Sequence, residues 1–431
     1  MSPARPRVVV VGAGFGGLRA ARALAKAPVD VVLVDRHNYH LFQPLLYQVS
    51  VAALPPSEIA YPVRSIFRRQ GNLAFRIAEV LRIDPVRKVV VTDGGEIPFD
   101  YAILASGSAT NFFGNDAIAK VAFDLKDLPG ALRLRNHLIR RFEAAIAAAD
   151  PAERRAFLTI AIAGGGPTGV EVGGAVSELL RRLLRRDYPA IPASDVTVLL
   201  LEGGPRVLSM FPESLSRAAE RSLAKLGVEV RTGTIVASYD GTTVRLRGGE
   251  AIPAGTLVWA AGVKASPLPG TLGVPLDRSG RVPVLPTLQM REFPHVFVVG
   301  DAAHLETPQG PVPALAPPAM QMGTTAAKNL ARLVAGEPLK PFVYKDPGVM
   351  ATIGRKAAVV AIHGLKLTGF PAWLFWLFVH LMQLVGFRNR VVVFVDWAFQ
   401  YVFYRPASPI ILSIEEDALQ NKVLDEPARR M

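Results

Sequence analysis

Two glycine runs, widely separated in the chain, have the spacing that suits a dinucleotide pyrophosphate. In such a run the first glycine permits a tight turn, the second lets the backbone approach the phosphates, and the third lets a helix pack on a strand. The helix that follows presents N–H groups and partial positive charge. The runs contain Gly12, Gly14, Phe15, Gly16 and Gly17 in the first case and Gly164, Gly166 and Gly169 in the second. We therefore predict a nucleotide-binding turn in each.

An acidic residue closes the predicted strand after each run. Asp35 lies 18 residues past the first run, close to the roughly 20 expected of an acid that hydrogen-bonds a ribose. Glu202 lies 33 residues past the second, because a long helix and the loop 187–195 intervene. An acid here repels a 2′-phosphate, so Glu202 favours NADH over NADPH, although the nearby Arg206 leaves the choice open. The alternative for both acids is an ordinary solvated strand end.

Strand and helix patterns surround both runs. Strands are predicted at 7–11, 29–34, 157–163 and 196–201, with helices at 18–26 and 170–186. Further strands that close on glycine are predicted at 101–105, 257–261 and 296–299, and a further helix at 319–334. The repeated order of strand, glycine turn, helix and strand predicts an α/β fold with two Rossmann-like units of parallel strands.

The composition excludes several classes of redox protein. The chain has 431 residues, enough for two or three domains, and its 50% hydrophobic and 20% charged residues are typical of a globular protein. It has no cysteine, which excludes disulfides, thiolate metal sites, iron–sulfur clusters and electron transfer through an active-site dithiol. The histidines show no ligand spacing on a helix face, so no metal site is predicted.

The net charge of +13 indicates an anionic partner or simple solubility. Nucleic acid is disfavoured, because the arginines lack interleaved aromatic residues and a recognised binding module. No secretory signal is predicted, since the apolar run after Arg7 leads into a glycine turn. We expect a protein of the cytosol or of the cytosolic face of a membrane.

Two apolar stretches near the C-terminus predict membrane attachment. Residues 370–387 are nearly all apolar, 388–390 interrupt the pattern, and 391–404 are apolar and aromatic. A helix of about 16 residues is about 24 Å long, which is shorter than the roughly 30 Å hydrocarbon core. Insertion into one leaflet is therefore expected, with core helices or a dimer seam as the alternative. Arginines that could face anionic headgroups, or simply be solvated, are Arg64, Arg68, Arg69, Arg181, Arg182, Arg185, Arg186, Arg388, Arg390 and Arg405.

Two Rossmann units, the second inserted in the first and followed by Gly300-Asp301, resemble the two-dinucleotide flavoprotein superfamily. The resemblance implies that the first unit binds FAD and the second NAD(P)H, with Asp301 near the ribityl and phosphate region of the flavin. It also implies an FAD-binding domain at 1–120 and 281–340, an NADH-binding domain at 121–280, and a membrane-associating region at 341–431. Apolar helices are expected there at about 371–387 and 391–404.

Finer motifs are similar to type II NADH dehydrogenase, the single-chain NADH:quinone oxidoreductase. They are the stretches 35–48, 166–171, 258–263, 316–321 and 351–356, and the similarity runs over nearly the whole chain. One departure is Pro317, where the quinone-site motif of that family usually has glutamine. The resemblance implies hydride transfer from NADH to the flavin, then two-electron transfer to a membrane quinone, without proton pumping.

The resemblance also assigns roles to residues. It places Glu171 near the flavin–nicotinamide contact as a candidate for proton handling, and Gln321 beneath the flavin to bond a quinone carbonyl. The alternatives are a first-turn glutamate favoured by the helix dipole and a solvated glutamine. Further cofactor contacts are expected from Arg36, Gln43, Ser106, Gly107, Gly262, Gly300 and Gln321. The expected quinone pocket comprises Gln43, Tyr47, Ala316, Met320, Gln321 and Lys356.

The sequence is compatible with three hypotheses for the function. The first is a monotopic respiratory enzyme on the cytoplasmic face of a bacterial inner membrane, with a homodimer left open. The second is a soluble NAD(P)H-dependent flavin reductase with another acceptor, and the third is an NADH-sensing flavoprotein bound to a membrane or partner. Sulfide:quinone oxidoreductases share the expected fold but need cysteines, which this chain lacks.

Overall fold

The computed structural model describes residues 5–385, 387–403 and 410–411. Its helices are α1 Phe15–Ala23, α2 Leu46–Ser50, α3 Pro56–Ile59, α4 Val63–Phe67, α5 Asp116–Val121, α6 Leu128–Ala147, α7 Pro151–Phe157, α8 Pro167–Arg186, α9 Glu213–Lys225, α10 Ala316–Val334, α11 Gly369–Gln383 and α12 Phe387–Phe403. The strands of the first half are β1 Arg7–Val11, β2 Asp30–Asp35, β3 Tyr39–Leu41, β4 Ala60–Pro62, β5 Leu73–Ile77, β6 Val80–Asp84, β7 Val89–Thr92, β8 Gly95–Pro98, β9 Tyr101–Leu104, β10 Ser108–Thr110, β11 Thr159–Ala163, β12 Thr197–Leu201 and β13 Val228–Arg231.

The remaining strands are β14 Val236–Tyr239, β15 Thr243–Leu246, β16 Ala251–Pro253, β17 Thr256–Trp259, β18 Val263–Ala265, β19 Val282–Pro283, β20 Val296–Val298, β21 Ala303–His304, β22 Glu306–Thr307, β23 Gly310–Pro311, β24 Val349–Thr352, β25 Ala358–Ile362 and β26 Leu365–Thr368. The chain packs as two compact units. The first comprises Met1–Leu41, Ala60–Ala109 and Val263–Pro347, and the second Phe42–Ile59, Thr110–Gly262 and Gly348–Met431.

Each unit contains a parallel sheet, and the four strands of the second sheet follow the same order as four of the five strands of the first. In the first unit the order is β20-β9-β1-β2-β5, and in the second it is β17-β11-β12-β13. All five residues of β11 and four of the five in β1 are buried, as expected for parallel strands covered on both faces. The predicted α/β fold with two Rossmann-like units is confirmed.

Three helices begin one turn earlier than predicted. The sequence pattern placed their starts at residues 18, 170 and 319, whereas α1, α8 and α10 begin at Phe15, Pro167 and Ala316. Glycine and proline in these segments suggested a continuing turn. Proline is favourable in the first helical turn, however, where its missing N–H has no intrahelical partner in any case.

Sequence patterns did not predict α6 or the antiparallel sheets β6-β7-β8, β14-β15-β16 and β24-β25-β26. A capping signal for α6 exists, because the Asp127 side chain accepts a hydrogen bond from the N–H of Gly130 at 2.8 Å and a proline follows in the first turn. The short antiparallel strands depend on pairing with neighbours, which local sequence specifies weakly.

The apolar C-terminal segments form two helices, with a boundary that differs from the expected one. The first ends at Gln383 and the second begins at Phe387, so 388–390 lie in the first turn of α12 instead of separating the helices. Arg390 caps the preceding segment, because its Nε donates to the carbonyl of Leu384 at 2.9 Å. No helix among the described residues is long and apolar enough to cross a bilayer. Tyr404, Arg405 and the side chain of Arg388 lie outside the described part of the chain.

Candidate functional site: two glycine turns and a basic cavity

The outer glycines of the first turn are required by close backbone contact. Gly12 has φ +98°, and a Cβ there would lie 2.4 Å from the carbonyl oxygen of Ala105. A Cβ on Gly17 would lie 1.8 Å from the carbonyl oxygen of Gly12. Only glycine fits these two positions, since any side chain would displace the backbone of the turn.

The middle glycine serves a different purpose. Nothing lies within 4 Å of a Cβ built on Gly14, which is the N-cap of α1 and has no side chain to cap the helix. The open space beside the N-terminus of α1 fits a pyrophosphate. Gly16 faces inward instead, because its Cβ would lie 3.2 Å from the carbonyl oxygen of Ala319 in α10. The Phe15 ring contacts the His40 ring edge-on, with centroids 5.2 Å apart.

The second turn repeats this geometry. Gly164 has φ +106°, and its Cβ would lie 2.5 Å from the carbonyl oxygen of Ala260. A Cβ on Gly169 would lie 1.8 Å from the carbonyl oxygen of Gly164, whereas nothing lies within 4 Å of one on Gly166. The chain thus has two cradles with two closed glycine positions and one open position each, as two dinucleotides would need.

Asp35 and Glu202, the two predicted acids, each accept hydrogen bonds from backbone N–H groups, one of them in the adjacent glycine turn. Asp35 accepts hydrogen bonds from the N–H groups of Ala13 at 2.7 Å and His37 at 2.8 Å. Glu202 accepts equivalent bonds from Gly165 at 2.5 Å and Gly204 at 2.6 Å. Each carboxylate has about four lone-pair sites, so two remain available for ribose hydroxyls. Both side chains are partly exposed.

Arg206, the residue that left the choice of nicotinamide cofactor open, is hydrogen-bonded to its own loop and to the start of α9. Its guanidinium donates to the carbonyls of Phe211 and Ser209, both at 2.7 Å, and to Ser216 Oγ at 2.6 Å. A group that binds a 2′-phosphate must offer its donors to that phosphate. Three of the five guanidinium donors of Arg206 are already used within the protein.

The late Gly-Asp segment lies after β20 in the first unit. Gly300 has φ +67°, and Asp301 Oδ2 accepts a hydrogen bond of 2.5 Å from Ser108 Oγ. Ser106 lies in the same loop and accepts a 2.7 Å bond from Ser266 Oγ, while nothing lies within 4 Å of a Cβ on Gly107. Ser108 was not among the predicted site residues. Its position just after a central parallel strand, where such sheets bind ligands, is the signal that could have identified it.

Gln321 lies in the second turn of α10, close to α1. A Cβ on Gly323 would lie only 2.1 Å from the carbonyl oxygen of Gly16, so the two helices touch backbone to backbone. Gln321 Nε2 donates to the carbonyl of Lys345 at 2.8 Å, and its Oε1 accepts from the N–H of Lys345 at 3.0 Å. One of its two amide hydrogens and one oxygen lone pair remain for a ligand.

Glu171 lies in the first turns of α8 and is partly buried. Desolvation raises the pKa of its carboxyl to about 8, with a smaller opposing effect from the N–H of Thr352 at 3.4 Å. At neutral pH the group is therefore mainly protonated and can donate a proton. Thr352 is buried and its hydroxyl bonds the carbonyls of Gly354 and Ala357, both at 3.1 Å.

A cavity of about 410 Å³ lies in the second unit and is lined by both Tyr47 and Lys356. Gln43 does not line it, and its side chain donates to the carbonyl of Lys126 at 2.9 Å. The other expected quinone-pocket residues, Ala316, Met320 and Gln321, belong to the first unit. Gly262 lies at the end of the second sheet, where a Cβ would meet the Phe113 ring at 3.2 Å. Arg36 is exposed just past Asp35. No metal-binding cluster occurs among the residues that the structure describes.

The two C-terminal helices bury tryptophans and expose apolar residues. Trp376 and Trp397 are buried, with ring centroids 6.2 Å apart, and Trp397 Nε1 donates to Gln48 Oε1 at 3.1 Å. The exposed large apolar residues are Phe370 (50%), Leu374 (48%), Phe378 (63%) and Met382 (49%) in α11 and Val391, Phe394 and Val395 in α12. These residues recur at helical spacing and form one apolar stripe on each helix.

Comparison with known proteins agrees with these features. Residues 6–323 match the pyridine nucleotide-disulphide oxidoreductases, and residues 347–406 match the NDH2 C-terminal domain. The chain is 39% identical over 418 residues to the type II NADH:quinone oxidoreductase Ndh of Mycobacterium tuberculosis, covering 94% of this chain and 89% of the relative. It is 41% identical to NdhA of the same organism, covering 92% and 87%.

A structural neighbour extends the likeness of fold over most of the chain. The structure of NDH2 from Plasmodium falciparum in complex with NADH has a TM-score of 0.85, covers 94% of this chain and 100% of its own, and is 19% identical. The sulfide:quinone oxidoreductase of Aquifex aeolicus has a TM-score of 0.70 at 17% identity and covers 97% and 95%. The absence of cysteine separates this chain from dithiol and sulfide chemistry.

Proposed function

The chain belongs to the type II NADH:quinone oxidoreductases, and we propose that its first glycine turn holds FAD and its second holds NADH. The observation that carries the proposal is the pair of cradles, each with an open middle glycine and a bracing acid. When bound, the flavin supplies the two-electron chemistry between NADH and a quinone. The protein supplies binding, orientation and protons.

The first cradle fits FAD through residues of three segments. Gly14 gives the pyrophosphate access to the N-terminus of α1, and Asp35 offers acceptors to a ribose. Asp301 accepts a hydrogen bond from Ser108 and offers its carboxylate just after β20, which is separated from β1 by one strand, β9. All of these residues lie in the first unit. We assign the FAD-binding domain to 1–120 and 281–340, and the NADH-binding domain to 121–280.

The second cradle favours NADH over NADPH. Glu202 would face a 2′-phosphate with negative charge, and the guanidinium of Arg206 already bonds Ser209 and Phe211 of its own loop and Ser216 of α9. Glu202 therefore opposes that phosphate, and only two donors of Arg206 remain to bind it. A ribose hydroxyl, in contrast, can donate to the remaining lone pairs of Glu202.

Glu171 is proposed to hand a proton toward the acceptor during turnover. Its raised pKa keeps it protonated at neutral pH, and the N–H of Thr352 orients one of its oxygens. Gln321 is proposed to present its second amide hydrogen to a quinone carbonyl while the first holds the carbonyl of Lys345. Tyr47 and Lys356 are assigned to the wall of the quinone pocket.

The apolar stripes of α11 and α12 are proposed to rest in one leaflet of a membrane. Exposed apolar residues on two short helices favour insertion at the surface of a bilayer, and the net charge of +13 favours anionic lipid. We assign the protein to the cytoplasmic face of a bacterial inner membrane as a peripheral protein. The alternative is that the stripes form the seam of a homodimer, which the molecular mass in detergent would reveal.

The decisive experiment is an anaerobic titration of the protein purified in mild detergent. NADH should bleach the flavin absorbance, and a short-chain quinone should restore it rapidly. Bleaching by NADH without recovery on quinone would favour another acceptor or a sensing role. A protein purified without flavin, and unable to bind added FAD, would contradict the assignment of the first cradle.

A further inference from the structure

The cavity of the second unit is strongly cationic. It runs beside α8 from Ala175 to Arg186, a distance of about 16 Å at 1.5 Å per residue. The cationic side chains that line it are Arg181, Arg182, Arg185, Arg186, Arg355 and Lys356. Glu178 is the only carboxylate among the described lining residues, and its Oε1 already accepts the N–H of Arg355 at 2.6 Å. Positive charge therefore greatly exceeds negative charge in this cavity.

Two buried donors at the cavity have no acceptor among the described residues. They are Arg182 Nε and Trp376 Nε1. Desolvation, together with the smaller effects of the charges of Arg355 and Arg186, lowers the pKa of Arg182 to about 10. A buried donor without a partner is unfavourable, and so is a guanidinium among like charges. A ligand with negative charge and only acceptor oxygens would relieve both.

The rest of the wall is aromatic and apolar. Tyr47, Val51, Trp373 and Trp376 line it, and the polar lining residue Gln48 is satisfied internally by Tyr47 and Trp397. Trp373 and Trp376 belong to α11, the helix with the exposed apolar stripe. A molecule in the cavity would thus contact cations and aromatic rings close to the surface assigned to the bilayer.

A favourable interaction with the helix dipole explains only some of the cationic residues that line the cavity. Arg185 and Arg186 lie in the last turn of α8, where cations interact favourably with the helix dipole. Arg182 lies a turn earlier, and Arg355 comes from the segment after β24. Convergence of two separate segments on one cavity points to a ligand.

We propose that the arginines of this cavity bind the phosphodiester of an anionic phospholipid, whose glycerol and first acyl carbons lie along Trp373 and Trp376. Arginine forks match phosphate oxygens in charge and geometry. The proposal rests on the membrane association proposed above.

The test measures binding of short-chain phospholipids to the flavin-loaded protein in non-ionic detergent by calorimetry. The probes are short-chain phosphatidylglycerol, short-chain phosphatidylcholine and inorganic phosphate. Arg182→Gln should weaken binding of phosphatidylglycerol about tenfold or more, as expected for loss of a charged hydrogen bond. The double variant Arg185→Gln/Arg186→Gln changes only exposed residues and should weaken it as well. Arg217→Gln/Arg221→Gln on α9 removes equal charge outside the cavity and should have little effect.

Three outcomes would overturn the proposal. They are equal binding of the two lipids, equal loss in the α9 control, and inorganic phosphate binding as tightly as phosphatidylglycerol. The last result would assign the site to a soluble phosphate. Bleaching of the flavin by NADH and its recovery on quinone, measured on the same samples, report the proposed function separately. A loss of lipid binding with normal bleaching and recovery concerns the lipid site alone.

Discussion

The two glycine turns make nearly the same backbone contacts but differ in the residues that surround them. Each has two glycines whose Cβ would strike a backbone oxygen and one whose Cβ would meet nothing. The first is covered by α10, through the contact of Gly323 with Gly16, whereas the second is followed by Glu171 and the Arg206 loop. The common features suit any dinucleotide, and the proposed assignment of FAD to the first turn and NADH to the second depends on the differences.

The most disruptive comparison replaces the third glycine of each turn. A Cβ in Gly17→Ala or Gly169→Ala would lie 1.8 Å from a carbonyl oxygen, so we expect losses of about 4 kcal/mol in the affected turn. Gly17→Ala should yield protein without flavin. Gly169→Ala should keep its flavin and respond to dithionite but not to NADH. Flavin content and anaerobic bleaching measure both, and equal loss of flavin would contradict separate assignments.

The middle glycines test binding without disturbing the fold. Gly14 and Gly166 have extended backbone and open space around a Cβ, so valine should be accommodated while it excludes pyrophosphate. We expect about 100-fold weaker binding of FAD to Gly14→Val and of NADH to Gly166→Val, a change of about 2.7 kcal/mol. The melting temperature of the FAD-free proteins should hardly change. Gly71→Val, also in open space but outside both turns, is the matched control.

The two turns carry different side chains at the second residue after the third glycine. The first turn has the exposed Arg19 there, and the second has Glu171 with a pKa of about 8. Because the protonated form donates, the quinone-reduction rate should fall as pH rises through about 8. Glu171→Gln should remove that pH dependence and slow quinone reduction about 100-fold, while bleaching by NADH persists. Arg19→Gln should leave both unchanged, and a pH profile unaltered in Glu171→Gln would refute the role in proton transfer.

The smallest expected effect concerns the choice of nicotinamide cofactor. Glu202→Gln removes the negative charge that opposes a 2′-phosphate, and should shift the ratio of kcat/KM for NADPH over NADH upward by about tenfold, or about 1.4 kcal/mol. Arg206→Gln should leave that ratio unchanged, because the Arg206 guanidinium is hydrogen-bonded to the carbonyls of Phe211 and Ser209. A ratio that falls in Arg206→Gln would mean that this arginine contacts the phosphate after all.

Much of the geometry of the two turns could be predicted, because the sequence signals for it lie within short stretches of the chain. The glycine spacing, the strand-end acids and the late Gly-Asp are each encoded within a few residues, and the strands before them were placed within two residues at either end. The missed features depend on other parts of the chain. Ser108 matters through Asp301, 193 residues away, and Thr352 through Glu171, 181 residues away.

The amino-acid sequence alone therefore determined the α/β class, the two glycine turns with the acids that follow them, the absence of cysteine thiols and the apolar character of the C-terminal helices. These follow from backbone sterics, periodicity and composition, which act over short stretches. The tertiary structure decided that Arg206 is occupied, that desolvation raises the pKa of Glu171, and that six cations meet beside α11. Hydrogen-bond occupancy, desolvation and charge density depend on which distant segments come together, and only the folded chain fixes that.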